Sequence, residues 1–184
     1  LNLMQRLCGI ATTTHIYASK AYPTPVAATR KTLYGLLDKY AVSIGGGLTH
    51  RLNLGDAPLF KENHLVLVEN DMAELWGSLS KLPSDIPFAT IEIETVEQYF
   101  ELLKILPKES PWPLFVMFDN FEADDLQGMI KNTLGQRPSY VYFEASGGIT
   151  YDNIEGFADI GLDVISIGAL THTIMPVDLS LGIA

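Results

Sequence analysis

Short apolar runs alternate with helical patterns along almost the whole 184-residue chain, and this alternation constrains the fold more than any other feature. Val26–Thr29, Ala57–Phe60, Phe88–Glu94, Leu114–Phe118, Tyr140–Phe143 and Val164–Ile167 read as strands. Leu3–Ala21, Tyr34–Ile44, Asp71–Leu82, Val96–Leu106, Ala123–Leu134 and Tyr151–Ile160 read as helices, and Met175–Ile183 is ambiguous. The first helix stops before Pro23 and Pro25, and the second at Gly45-Gly46-Gly47. Leu114–Phe118 is apolar throughout, as a strand covered on both faces should be. Alternation of this kind implies right-handed crossovers and a parallel sheet. The expected class is α/β: an incomplete (β/α) barrel of roughly six or seven parallel strands, since closure takes eight. A doubly wound open sheet is the alternative. Residues 1–184 are expected to form a single domain, with no internal repeat or low-complexity linker.

Composition narrows the function classes. Hydrophobic residues make up 47% and charged residues 18%, the balance of a soluble globular protein. No apolar run is long enough to cross a bilayer, and no stretch reads as a signal peptide. A single cysteine, Cys8, excludes an internal disulfide and fits a reducing cytoplasm. It falls in an apolar helical pattern and reads as a small core residue. The net charge of −10 argues against nucleic acid or an anionic membrane surface as partner. Yet the cations Arg30, Lys31, Lys39, His50, Arg51, Lys61 and His64 gather close together, while Glu69–Asp125 is dominated by acids. Such a cluster either holds an anionic ligand or forms a solvated basic face.

The residues at the strand ends favour a ligand. Arg30 and Lys31 come after the first strand, and Lys61, Asn63 and His64 after the second. The third ends on Glu94, the fourth leads to Asp119-Asn120, the fifth to Glu144 and Ser146-Gly147-Gly148, and the last to Gly168, Thr171 and His172. Carboxyl ends of strands are where barrels and open α/β sheets bind ligands. Arginine offers a planar fork to a carboxylate and lysine a point charge, so Arg30, Lys31, His50, Arg51 and Lys61 suit carboxylates or phosphates. Glu94 and Asp119 are hard oxygen donors of the kind that hold magnesium carried by a phosphorylated substrate. Ser146-Gly147-Gly148 before an expected helix near Thr150 suits a phosphate, and Gly168 lets backbone approach it. No Ser-His-Asp set, Walker loop, dinucleotide fingerprint or zinc spacing is present.

Seven motifs occur in order: Thr29-Arg30-Lys31-Thr32, Gly45-Gly46-Gly47 with His50-Arg51, Lys61-Glu62-Asn63-His64, Ile93-Glu94, Phe118-Asp119-Asn120, Glu144-Ala145-Ser146-Gly147-Gly148-Ile149, and Ile167-Gly168-Ala169-Leu170-Thr171-His172. Together they resemble the quinolinate phosphoribosyltransferases, also called nicotinate-nucleotide pyrophosphorylases (carboxylating). The likeness runs from Leu3 to Leu181. It implies that quinolinate and phosphoribosyl pyrophosphate are the substrates, that Mg2+ is the cofactor, and that nicotinate mononucleotide, pyrophosphate and CO2 are the products. By this resemblance Arg30, His50 and Arg51 hold the quinolinate carboxylates, with Thr29, Lys31 and Lys61 in the same anion pocket. Lys31, Lys61, Glu94 and Asp119 are the implied catalytic set, and Glu94 and Asp119 face the ribose and the magnesium-bound pyrophosphate. Ser146, Gly148 and Gly168 meet the phosphate, with His172 nearby.

The resemblance implies more about context. The family carries an amino-terminal α/β sandwich domain that caps the barrel of a partner subunit, so a homodimer or higher homo-oligomer is expected. That domain has no counterpart in this sequence, and the chain is expected to be a fragment of a two-domain enzyme, inactive alone. Departures are Ala28 where many members have Asp, Glu62 where Asp is usual, and Leu33-Tyr34-Gly35-Leu36-Leu37, where the usual pattern has Pro before the Gly and a basic residue after it. Rival readings are a nicotinate phosphoribosyltransferase and a non-catalytic homologue of the molybdenum-transport-associated type. The match at His50, Arg51, Lys61 and Asn63 favours quinolinate chemistry over both.

Overall fold

Strands form where β-branched and aromatic residues concentrate. The computed structural model describes residues 1–183, the Leu134 side chain excepted. The elements run α1 (Asn2–Ala21), β1 (Val26–Ala28), α2 (Leu36–Ile44), β2 (Leu59–Phe60), α3 (Glu62–Leu67), α4 (Met72–Leu79), β3 (Ala89–Ile93), α5 (Val96–Ile105), β4 (Leu114–Asp119), α6 (Ala123–Thr133), β5 (Val141–Ser146), β6 (Val164–Ile167) and α7 (Ala169–His172). Six strands are present among the described residues. This meets the expectation of an incomplete (β/α) barrel with six or seven strands, short of the roughly eight that closure needs. The strands fall into two compact units.

The first unit comprises Leu1–Leu52, Gly147–Asp159 and the chain from Val164 onward. Here β1 pairs in parallel with β6, Val26 opposite Ile165 and Ala28 opposite Ile167. In α1 the buried positions are Gly9, Ile10, Thr14, Tyr17 and Ala21, a stripe at helical spacing. Cys8 lies off that stripe and is exposed, so the core assignment made from the apolar pattern is corrected. Helix α1 packs closely on the triple-glycine turn. A Cβ on Gly45 would collide with the Ala11 carbonyl oxygen, so only glycine allows this approach. Helix α2 begins at Leu36 rather than at Tyr34, because Gly35 takes a positive φ of 54° and turns the chain there.

The helix expected over Tyr151–Ile160 does not form. A single 3-10 turn, Ile154–Phe157, takes its place. The Asn153 side chain is the cause: its Oδ1 accepts the Thr150 N–H at 2.8 Å and its Nδ2 donates to the Gly148 carbonyl at 3.0 Å. Asparagine competes with helical backbone bonding in this way. The ambiguous segment after Met175 carries no regular element through residue 183.

The second unit comprises Asn53–Ser146 and Ile160–Asp163. Its strands pair in parallel in the order β2, β3, β4, β5. The register places Glu92, Met117 and Glu144 side by side on one face, and Ile93, Phe118 and Ala145 on the other. The second face is the hydrophobic core. The Tyr99 ring of α5 meets Phe118 at 5.4 Å and Phe143 at 5.8 Å, both edge-on, while Leu102, Leu126 and Ile130 are buried. Edge-on aromatic pairs add roughly 0.5–1.5 kcal/mol each beyond their area. Helix α5 starts on a capping box, with Thr95 Oγ1 accepting the Gln98 N–H at 3.2 Å and Gln98 Oε1 accepting the Thr95 N–H at 3.2 Å. Helix α3 was not expected. It spans six residues and is preceded by Lys61 at the N-cap, whose N–H is accepted by His64 Nδ1 at 3.0 Å, a cap with no Ser, Thr, Asp or Asn to signal it.

Candidate active site

In the first unit the chain leaves β1 through Thr29, whose Oγ1 accepts the Lys31 N–H at 3.3 Å. Arg30 and Lys31 are exposed. His50 takes a positive φ of 51°, and its Nδ1 accepts the Arg51 N–H at 2.8 Å, which fixes the ring. Lys39, grouped with the other cations by sequence, is fully buried instead. Its Nζ donates to the carbonyl of Ala28 at 2.9 Å and to that of Thr49. It ties the end of β1 to the stretch before His50.

Two expected phosphate-side residues of this unit, Gly168 and His172, come together with Lys31 of the expected anion pocket. A Cβ on Gly168 would stand 2.7 Å from His172 Nε2 and 3.7 Å from Lys31 Cδ, so the imidazole and the lysine stem both lie against bare backbone. Thr173 Oγ1 lies 2.6 Å from His172 Nδ1. Gly147 and Gly148 have positive φ of 81° and 62°, conformations that other residues rarely adopt. No helix starts at Thr150, so the expected helix amino terminus for an anion is replaced here by a glycine loop braced by Asn153.

In the second unit, Lys61 Nζ lies 2.5 Å from Glu92 Oε2. The Glu92 side chain is 4% exposed. Burial pushes its carboxyl above the usual value; Lys61 pulls it back in part, and Asp119 and Glu62 push it further up. A carboxylate held in this way, paired with one lysine, is an arrangement typical of functional sites. Sequence reasoning named Glu94 and passed over Glu92. Glu94 lies beyond the end of β3, exposed, its N–H accepted by Gln98 Oε1 at 2.8 Å, and it borders a shallow groove with Phe100, Phe121 and Asp124. Glu92 could have been found from the period of two: a charged residue between Ile91 and Ile93 must face away from their core.

Asp119 and Ser146 stand opposite each other at the ends of β4 and β5. The Asn120 N–H donates to the Ser146 carbonyl at 2.8 Å, and Asn120 Nδ2 donates to Asp119 Oδ2 at 2.7 Å. His64 caps α3 and packs its ring 5.4 Å from Phe60, a structural role. No group of three or more His, Cys, Asp or Glu able to close around a metal occurs among the described residues.

The model of a family described as the quinolinate phosphoribosyl transferase C-terminal domain matches residues 10–182. The chain belongs to that family. Among relatives of this phosphoribosyltransferase domain, the chloroplastic nicotinate-nucleotide pyrophosphorylase (carboxylating) of Oryza sativa subsp. japonica is 35% identical over 193 residues, covering 100% of the chain and 52% of the rice protein. The corresponding pyrophosphorylase of Mycobacterium leprae is 34% identical over 187 residues, covering 100% of the chain and 63% of that protein. The solved structure of the nicotinate-nucleotide pyrophosphorylase from Francisella tularensis superposes with a TM-score of 0.80 at 33% identity, over 96% of this chain and 59% of that one. The phosphoribosyltransferase domain thus spans about half to two thirds of the length of these relatives.

Proposed function

We propose that this chain is the catalytic domain of an enzyme that transfers phosphoribosyl from phosphoribosyl pyrophosphate to quinolinate, with decarboxylation to nicotinate mononucleotide. The observation that carries the reading is the Lys61–Glu92 pair, in which a buried Glu92 near the carboxyl end of β3 meets a partly exposed lysine and feels Asp119. The pyridine nitrogen forms a bond to the anomeric carbon of the ribose as the bond to pyrophosphate breaks. Positive charge builds on the ribose, and Glu92 and Asp119 are the carboxylates placed to stabilise it. Lys61 and Lys31 balance negative charge on the leaving group. The new pyridinium then favours loss of the adjacent carboxylate as CO2, and no protein nucleophile is required. Arg30, His50 and Arg51, with Thr29, take the quinolinate carboxylates. Ser146, Gly148, Gly168 and His172 take the phosphate.

Magnesium belongs to the same reading. An ion that keeps substrate oxygens and waters needs only one or two protein carboxylates. The chemistry of the donors fits: Asp119 and the exposed Glu94 are hard oxygens at successive strand ends, with no third ligand among the described residues to close a cage. When bound, the ion would neutralise charge on pyrophosphate. A homodimer or higher homo-oligomer in the cytoplasm completes the proposal, and among the described residues no helix is long and apolar enough to cross a membrane.

Calorimetric titration with quinolinate and with phosphoribosyl pyrophosphate tests the proposal. Binding of both supports it, and binding of neither ends it. Release of CO2 separates it from nicotinate phosphoribosyl transfer. Arg51→Ala is expected to weaken quinolinate by about tenfold to a hundredfold, the value of a charge-assisted pair, and phosphoribosyl pyrophosphate much less. Equal losses for the two ligands would remove Arg51 from the carboxylate pocket.

A further inference from the structure

The loop carrying Arg30 and Lys31 is tied at two points, and both ties lead to one guanidinium. At the first, the Thr171 hydroxyl donates to the Lys31 carbonyl at 2.7 Å. At the second, Asp38 Oδ2 accepts the N–H of Leu33 at 2.8 Å and of Tyr34 at 3.2 Å. Arg6 of α1 joins them. Its Nη2 donates to Asp38 Oδ2 at 2.9 Å and to the Thr171 carbonyl at 2.9 Å, while its Nε donates to Asp38 Oδ1 at 3.2 Å. Asp38 and Thr171 are fully buried. The bonds form a closed circuit from Lys31 through Thr171, Arg6 and Asp38 to Leu33, two residues further along the loop.

A bidentate ion pair whose carboxylate is fully buried is a poor device for stability alone, since desolvation offsets its attraction. Here it aims acceptors at backbone that would otherwise be unfixed. Burial pushes the Asp38 carboxyl up, but hydrogen bonds from Arg6 and from the Tyr34 and Leu33 N–H groups bring it below its usual value, so it stays ionised. The Tyr34 N–H bond to Asp38 restrains the loop backbone one residue beyond Leu33. Thr171 immediately precedes His172, so the circuit that holds Lys31 also holds the chain beside the imidazole.

We propose that Arg6, Asp38 and Thr171 are positioning residues: they hold the Thr29–Tyr34 loop in one conformation, with Lys31 against Gly168, before the anionic substrate arrives. The inference rests on the functional reading above. A loop ordered in advance loses less conformational freedom on binding, and affinity rises accordingly. None of the three residues needs to touch the ligand.

The test uses Thr171→Val, Thr171→Ser and Asp38→Asn. It measures phosphoribosyl pyrophosphate affinity by calorimetry and amide hydrogen exchange at Lys31–Tyr34. Thr171→Val is expected to weaken binding by about tenfold or more, on the scale of a buried hydrogen bond and its lost restraint, with faster exchange in the loop. Thr171→Ser, which keeps the hydroxyl, should restore affinity to within about threefold of the parent. If Thr171→Val does not fold, Asp38→Asn carries the same comparison, with Asp38→Glu as its rescue. Faster loop exchange with unchanged affinity overturns the positioning role alone. A parent chain that binds neither phosphoribosyl pyrophosphate nor quinolinate overturns the functional reading, and the positioning role with it.

Discussion

Glu92→Gln, made in a full-length enzyme that contains this domain, is expected to lower turnover by about a hundredfold to a thousandfold, the cost of removing one preorganised electrostatic group. The folded chain should become no less stable at neutral pH. The sign comes from the raised carboxyl of Glu92, which burial produces and Lys61 only partly offsets. An acid with a folded pKa above its unfolded value adds stability below the unfolded pKa, and that contribution is lost as pH rises through the folded pKa. Above both values the ionised Glu92 is a cost that glutamine does not carry. The stability advantage of the variant should therefore grow as pH rises from about 4.5, the ordinary glutamate value, and level off above the raised one. Denaturant unfolding at a series of pH values measures this. A variant clearly less stable than its parent at neutral pH would mean that the Lys61 pair outweighs burial. Glu94→Gln is the companion: exposed and unpaired with Lys61, it should change turnover far less. Comparable losses for the two would return Glu94 to the centre of the site.

Gly45→Ala should destabilise the first unit by about 2–3 kcal/mol, lowering Tm by roughly 5–10 °C. The added methyl would collide with the Ala11 carbonyl oxygen and stand 2.6 Å from Thr14 Cβ. The first of these is helical backbone, so α1 itself must move. Gly46, one residue on, is a control of a different kind: its Cβ would meet nothing within 4 Å, but its φ is +88°. Gly46→Ala should cost about 1 kcal/mol from backbone strain alone. Thermal unfolding by circular dichroism distinguishes the two. Equal shifts would show that turn conformation, not helix approach, explains the triple glycine. Movement of α1 would also displace Arg6, so Gly45→Ala should weaken anion binding as well.

The range of each interaction decides how much of the fold was legible in the sequence. The six strands and most helices came from local periodicity, because alternating burial and glycine or proline stops are written in neighbouring residues. The helix lost over Tyr151–Ile160 and the unforeseen α3 both turned on one side chain, Asn153 or His64, bonding to backbone three to five residues away. Such competition leaves the apolar pattern unchanged. Lys39 and Asp38 read as ordinary helix charges, and only packing showed that both are buried and bonded to backbone outside their helix.

The carboxyl-end rule picked out the candidate site residues, since strand polarity alone decides which end carries the loops. It could not choose between Glu92 and Glu94. The two share one parity, but Glu92 lies inside β3 and Glu94 just past its end, and the choice depends on where the strand ends and where Lys61 reaches. The sequence by itself determined the class of fold and the family, because each rests on local pattern or ordered motifs. Tertiary structure decided which carboxylate the lysine meets, which cations are structural, and what restrains the Arg30–Lys31 loop. Those are contacts between residues as far apart as Lys31 and Thr171, and only the folded chain brings them within reach.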